Sequence, residues 1–186
     1  DTCDDCSSGH YNTVGPDGTD GGGDGADFDC DGTCNAGDDT VGGEIELNFS
    51  TLDNSDDDDD DDGLADNSDE NTIGIDYNLS SCQGISGFQF AVDGVDLISA
   101  DDGALTVQSN NNIVVAFDLG GAQLLPGSGS LASLLFYADD LGATIGLSDV
   151  IIGSSGGEDI EVYGPDDASI AECTNFDGDG ECDIDV

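Results

Sequence analysis

Apolar and polar residues alternate with period two through the middle of the chain. In GGEIELNFS, residues 42–50, Ile45, Leu47 and Phe49 fall on one side and Glu44, Glu46 and Asn48 on the other. That is the pattern of a half-buried strand. Ile73, Ile75, Tyr77 and Leu79 repeat it, and Phe88, Phe90 and Val92 share a face in GISGFQFAVDGVDLIS. ALTVQ follows around Leu105 and Val107, and NNNIVVAFDL carries Ile113, Val115 and Phe117 as its apolar set. SLASLLFYA, ATIGLSDVIIG and EDIEVYG, the last with Ile160 and Val162, complete the series. About nine short strands, with turns every 8–12 residues and no long amphipathic helix, predict an all-β sandwich.

The strand pattern is interrupted and flanked by stretches with a different register. Within DDDDDDDGLADNSDE, residues 56–70, Asp58, Asp60 and Asp62 alternate, Gly63 follows, and Asp66 and Asp69 come after. This is the spacing of a twelve-residue calcium loop. Oxygens at positions 1, 3 and 5 approach one ion, the glycine at 6 allows a sharp turn, and position 7 (Leu64) offers a carbonyl. Position 9 ligates directly or through water, and position 12 closes the site. The register recurs in DFDCDGTCNAGD, with Asp27, Asp29, Asp31, Thr33, Asn35 and Asp38. It recurs again in NFDGDGECDIDV, with Asn175, Asp177, Asp179, Glu181 and Asp183, where Val186 at position 12 brings no side-chain ligand. A solvated acidic linker is the ordinary meaning of one charge run. Three copies, each with glycine in the same slot, predict Ca2+ as the cofactor. The first of these loops lies between two predicted strands, where an ion would fix the geometry of a long insertion.

These loops resemble thrombospondin type 3 repeats and the loops of dockerin modules, over about a dozen residues each time. The body resembles another family. GFQFAVDGV, NNNIVVAFDLGG, LLPGSGSLASLLFYA and LSDVIIGSSGGEDIEVYG are similar to segments of cohesin domains, the Gly127–Phe136 step most of all. The resemblance spans about residues 42–164. It implies a nine-stranded jelly-roll-type sandwich and, as a partner, a dockerin-type protein. The acidic insertion at 53–71 departs from that family. The resulting organisation is a Cys/Gly/Asp-rich calcium-binding segment at 1–39, a sandwich at 40–164 with its inserted loop, and a tail with a calcium loop at 165–186.

Charge narrows the function classes. The chain has 44 acidic residues, no Lys, no Arg and one His, for a formal charge of −44. Such a chain repels itself, and divalent cations are the natural remedy. Nucleic acid and anionic membrane surfaces are disfavoured, since binding either uses Lys and Arg. No stretch reaches the roughly 18 apolar residues of a membrane-spanning helix, so direct membrane insertion is not expected. The chain opens at Asp1 without a leader, as a processed product or a fragment would.

Seven cysteines in an acidic, calcium-binding chain predict a secreted or cell-surface setting, and the odd count leaves one without an internal partner. Cys3, Cys6, Cys30 and Cys34, with His10 nearby, fit either a zinc site or local disulfides, and local disulfides are the simpler reading. Cys82 with Cys173 is the expected bridge from tail to sandwich. Asn48 and Asn78 open glycosylation sequons, at a frequency that chance also produces.

Catalysis is not expected. GSSGG around Ser155 fits a nucleophile-elbow spacing but lies between two strands, away from the single His, and reads as a turn. No Trp and only four Tyr supply little stacking surface for sugars. The leading expectation is an extracellular calcium-stabilised structural protein. It self-associates head to tail into a filament, surface layer or adhesive stalk, with the incomplete third loop completed by the next copy. The alternative is a cohesin-like binding module for a separate dockerin-type partner. An acidic calcium buffer is a third.

Overall fold

The computed structural model describes residues 27–31, 35, 38–50, 52, 71–101, 105–138 and 142–171. Among these residues there are ten strands: β1 Glu44–Phe49, β2 Asn71–Ser80, β3 Ile85–Asp93, β4 Asp96–Asp101, β5 Thr106–Asn110, β6 Ile113–Phe117, β7 Gly127–Tyr137, β8 Ala143–Ser154, β9 Glu161–Tyr163 and β10 Ala168–Ile170. They make two five-stranded sheets, β4-β7-β2-β1-β9 and β10-β8-β3-β6-β5. β1 and β9 run parallel, and the other pairings are antiparallel. The all-β sandwich expected from the alternation is the architecture observed.

The core lies between the two sheets and follows from the pleat. In β2, Ile73, Ile75, Tyr77 and Leu79 are buried while Thr72, Asp76 and Asn78 are exposed. Ile45 and Leu47 of β1 pair beside them, opposite Leu79 and Tyr77. From the second sheet come Phe88, Phe90 and Val92 of β3, with Ile145 and Ile152 of β8. Burying each such side chain stabilises the fold by about 1.5–3 kcal/mol before the entropy of ordering it is counted.

One strand reverses its expected faces. In β6 the core side chains are Val114 and Ala116, and Ile113, Val115 and Phe117 point outward. Every residue of IVVAF is apolar, so alternation alone does not choose a face. Packing does. Val114 lies opposite Phe90 and Ala116 opposite Phe88, and those two rings stack with centroids 5.7 Å apart. Two small side chains fit beside that bulk where Ile and Phe would overfill it.

Two other differences concern strand count. The stretch GISGFQFAVDGVDLIS is divided at Gly94, which adopts φ +84° and whose Cβ, if present, would strike the Thr144 carbonyl. The chain turns there from β3 in one sheet to β4 in the other. β10 falls within the segment read as a tail and pairs with β8.

The hairpin β5–β6 turns on Asn111 and Asn112, with φ +49° and +61°. Left-handed backbone at both central residues marks a type I′ turn, which Asn tolerates. The Asn112 side chain then joins two turns. Its Oδ1 accepts the Leu97 N–H at 3.0 Å, and its Nδ2 donates to the carbonyls of Val92 at 3.1 Å and Val95 at 2.6 Å. Asn112→Gly keeps the backbone geometry and removes only these three bonds. At roughly 1 kcal/mol each, the variant is expected to lose about 2–4 kcal/mol in denaturant unfolding, and an unchanged midpoint would refute this role.

Candidate functional site

Asp27, Asp29 and Asp31 alternate along the loop, as positions 1, 3 and 5 of the calcium register require. Each offers one carboxylate oxygen, and these lie within 4.8 Å of one another. The loop is held in that shape by its own polar groups. The Asp31 N–H donates to Asp29 Oδ1 at 3.1 Å, and the Phe28 N–H donates to Asn35 Oδ1 at 2.9 Å. Asp38 Oδ1 accepts from the Thr40 N–H at 2.8 Å and from Thr40 Oγ1 at 3.1 Å. Asp38 Oδ2 is buried and accepts no hydrogen bond.

This geometry is electrostatically expensive. Asp29 is only 6% exposed, and no lysine or arginine exists to neutralise it. Its pKa is pushed up from 3.8 to about 6, chiefly by burial. The Asp31 backbone N–H opposes that shift, while a hydrogen bond with Asp27 and the charges of Asp31 and Asp38 add to it. An all-oxygen donor set of converging carboxylates fits a hard cation such as Ca2+, whose charge would reverse that cost.

The loop is fastened to the sandwich from outside its own twelve residues. Cys30, with φ +60°, turns its side chain to Cys82 in the β2–β3 turn and forms a disulfide across 52 residues. The expected Cys82–Cys173 bridge is therefore not made, and Cys30 is not locally paired. The reason lies in the loop register. At position 4, between two ligand positions, Cys30 projects away from the carboxylates and toward the turn beside them. The Cys82 N–H also donates to the Asp29 carbonyl at 3.1 Å. Gly43, at φ +85°, sits where a Cβ would strike the Ser80 carbonyl and crowd Asp29 Cβ at 3.1 Å. Cys82 and Gly43 thus position the loop without belonging to its motif. An outward-pointing cysteine inside a ligand register was the available sign of such an anchor, but its partner was not readable.

Thr33 and the loops Asp58–Asp69 and Asn175–Val186 lie outside the described residues, so their ligand registers stand as sequence expectations. Ser155 occupies the turn after β8, where its Oγ donates to Gln83 Oε1 at 3.4 Å.

A second feature is the outer face of the sheet β8-β3-β6-β5. Its rows are set by register. Ile151 lies opposite Gln89, Gln89 opposite Val115, and Val115 opposite Gln108. Flanking rows place Phe117 between Gly87 and Thr106, and Ile113 between Ala91 and Asn110. Ile113, Phe117 and Ile151 are 48%, 43% and 55% exposed. These rows contain no carboxylate, whereas the outer face of the opposite sheet carries Glu44, Glu46, Asp76 and Glu161.

In fold, this sandwich is similar to cohesin modules. One is the seventh ScaB type I cohesin of Pseudobacteroides cellulosolvens, at 12% identity and TM-score 0.48, covering 74% of this chain and 97% of that one. Another comes from the type I cohesin–dockerin complex Coh-OlpC-Doc435 of Clostridium thermocellum, at 11% and 0.47, covering 68% and 91%. A third is the cohesin module of a Clostridium perfringens family 33 glycoside hydrolase, at 11% and 0.44, covering 70% and 96%. No family model matches the chain, and no curated protein matches it. The likeness is one of architecture.

The burial of Asp29 gives a direct test of the loop geometry. In chelator-treated protein, its carboxyl is expected to titrate near pH 6 rather than near 3.8, followed by carboxyl-carbon NMR. Because the folded pKa is the higher one, its contribution to stability is full below the unfolded value and is lost as pH rises through the folded one. Metal-free protein should therefore unfold more easily at pH 7 than at pH 4.5. Titration of Asp29 at an ordinary carboxylate pH would contradict the burial.

Proposed function

We propose that this chain is an extracellular, non-enzymatic binding module that captures a separate dockerin-type protein through the outer face of β8-β3-β6-β5. The observation that carries the reading is the carboxylate-free centre of that face, where Ile113, Val115, Phe117 and Ile151 lie among Gln89, Gln108 and Asn110, with Asp93 and Asp149 at its margin. A chain of −44 that keeps three rows of one sheet free of carboxylates leaves a surface able to lose water without stranding a charge. Ile113, Phe117 and Ile151 are the large side chains such a contact would bury. A second copy is a poor occupant, because two such chains repel strongly outside the patch. The Cys30–Cys82 disulfide supports an oxidising, extracellular setting.

Calcium belongs to the same proposal as a structural ion. It would bind Asp27, Asp29, Asp31 and Asp38 at the end of the sandwich where β1 begins and β2 ends. Assembly into a head-to-tail filament rests on Asn175–Val186, outside the described residues, and is a named outcome of the test.

Two measurements separate these parts. Titration calorimetry of calcium-loaded protein against a panel of dockerin modules is expected to give a one-to-one complex. Ile151→Asp, a change on an exposed side chain, should weaken it by at least about tenfold. Filaments of the purified chain in calcium, with no dockerin binding, would replace this reading by the self-assembling one.

For the ion, Asp31→Asn is expected to weaken the corresponding calcium site by about tenfold or more and leave the folded sandwich intact by circular dichroism. Calcium that binds the variant and the parent alike would remove the loop from the proposal.

A further inference from the structure

The opposite sheet carries two N-x-S sequences whose strand context distinguishes them. Asn78-Leu79-Ser80 lies in β2 and Asn48-Phe49-Ser50 at the end of β1. The pleat buries Leu79 and turns Asn78 and Ser80 outward together, both exposed. Asn48 is exposed as well, but its Ser50 is turned into the fold, where Oγ accepts the Gly74 N–H at 2.9 Å.

Asn78 also stands in a concavity. Glu44, Ile45, Glu46, Asn78, Ser80 and Tyr163 line a shallow hollow of about 370 Å³ on this face. Register explains it. Asn78 is opposite Glu46, Glu46 is opposite Tyr163, and Glu44 is opposite both Ser80 and Glu161. Tyr163 is 48% exposed, and its hydroxyl donates to Glu44 Oε1 at 3.4 Å. On the other side of Asn78, Oδ1 accepts from Ser128 Oγ at 3.1 Å. With Oδ1 so held, Nδ2 is the amide atom left toward the hollow.

An asparagine amide in a hollow lined by one tyrosine and two carboxylates suits a covalently attached sugar. The ring offers a flat apolar surface for the sugar's C–H face, and the carboxylates accept its hydroxyls. We propose that Asn78 is an N-glycosylation site and that the first sugar of the glycan rests in this hollow against Tyr163. The co-reactant is a saccharide carried on a polyprenyl phosphate or diphosphate, presented by a transferase. Asn78 Nδ2 bonds to the anomeric carbon, and the bond from that carbon to the phosphate oxygen breaks. The phosphate leaves with the electron pair, and the amide gives up one proton. No oxidant or reductant is consumed. Transfer onto the unfolded, secreted chain is compatible with a strand position, because the strand forms afterwards. The modified side chain then projects from the sheet opposite the proposed partner face, so this site stands or falls independently of partner binding.

The test is peptide mass spectrometry of the protein recovered from its natural source. Cleavage at Asp and Glu is needed, since no trypsin site exists. The peptide spanning Asn78 is expected to carry a saccharide mass, and Asn78→Gln expressed in the same cells should lose it. The seat of the sugar has its own readout. Tyr163→Ala should lower the melting temperature of the glycosylated protein by several degrees more than that of the unmodified protein. An unmodified Asn78 peptide in the natural protein overturns the proposal. So does modification at Asn48 alone. Equal effects of Tyr163→Ala on both forms overturn the seat of the first sugar.

Discussion

A chain with 44 carboxylates and neither lysine nor arginine has no side-chain cation to set against them apart from a single histidine. Every other property of the molecule is arranged around that constraint. Cohesion rests on terms that do not depend on opposite charge: apolar burial between two sheets, ladder hydrogen bonds and a disulfide. The core residues come from the strands, and the described carboxylates other than Asp29 fall in the connections and on the outward faces. Self-repulsion is thereby kept in high dielectric, where a charge pair at a few ångströms costs about 1 kcal/mol rather than several.

The Asp27–Asp38 loop is where that arrangement is violated, since it gathers three carboxylates and buries Asp29. What restrains the cluster is the Asp31 N–H bonded to Asp29 together with a covalent tie to the sandwich. Asp29 is shifted toward its neutral form, and the Cys30–Cys82 bond closes a chain segment of 52 residues, worth about 4 kcal/mol in the chain-entropy account. A divalent cation is the charge the loop is shaped to receive under the reading proposed above. The disulfide, the Asp29–Cys82 backbone bond and the close approach at Gly43 would then serve as its preorganisation.

The two outer faces divide the remaining chemistry. The face of β8-β3-β6-β5 lacks charge at its centre because β6 turns its larger apolar residues outward. That reversal follows from the stacked pair Phe88 and Phe90 inside. The face of β1, β2 and β9 is acidic and amide-rich, and its hollow exists because the parallel pairing of β9 with β1 brings Tyr163 level with Glu46. A core packing choice in one sheet and an edge pairing in the other thus decide which surface is apolar and which is polar.

The period-two alternation of β1, β2 and β3 determined the sandwich, because a strand with one apolar side has only one way to bury it. The spacing of Asp27, Asp29 and Asp31 likewise determined that these carboxylates would converge, since alternate residues of such a loop face one point. Three things only the tertiary structure decided. The faces of β6 were undetermined, because an all-apolar run carries no alternation, and only the bulk of Phe88 and Phe90 across the sheet selects Val114 and Ala116 for the core. The partner of Cys82 was undetermined, because connectivity depends on which Cβ atoms meet in space, and Cys30 meets it only once the loop docks on the β2–β3 turn. The surroundings of Asn78 were undetermined as well. Tyr163 is 85 positions further along the chain (163 − 78), and only the pairing of both strands with β1 brings them to one hollow.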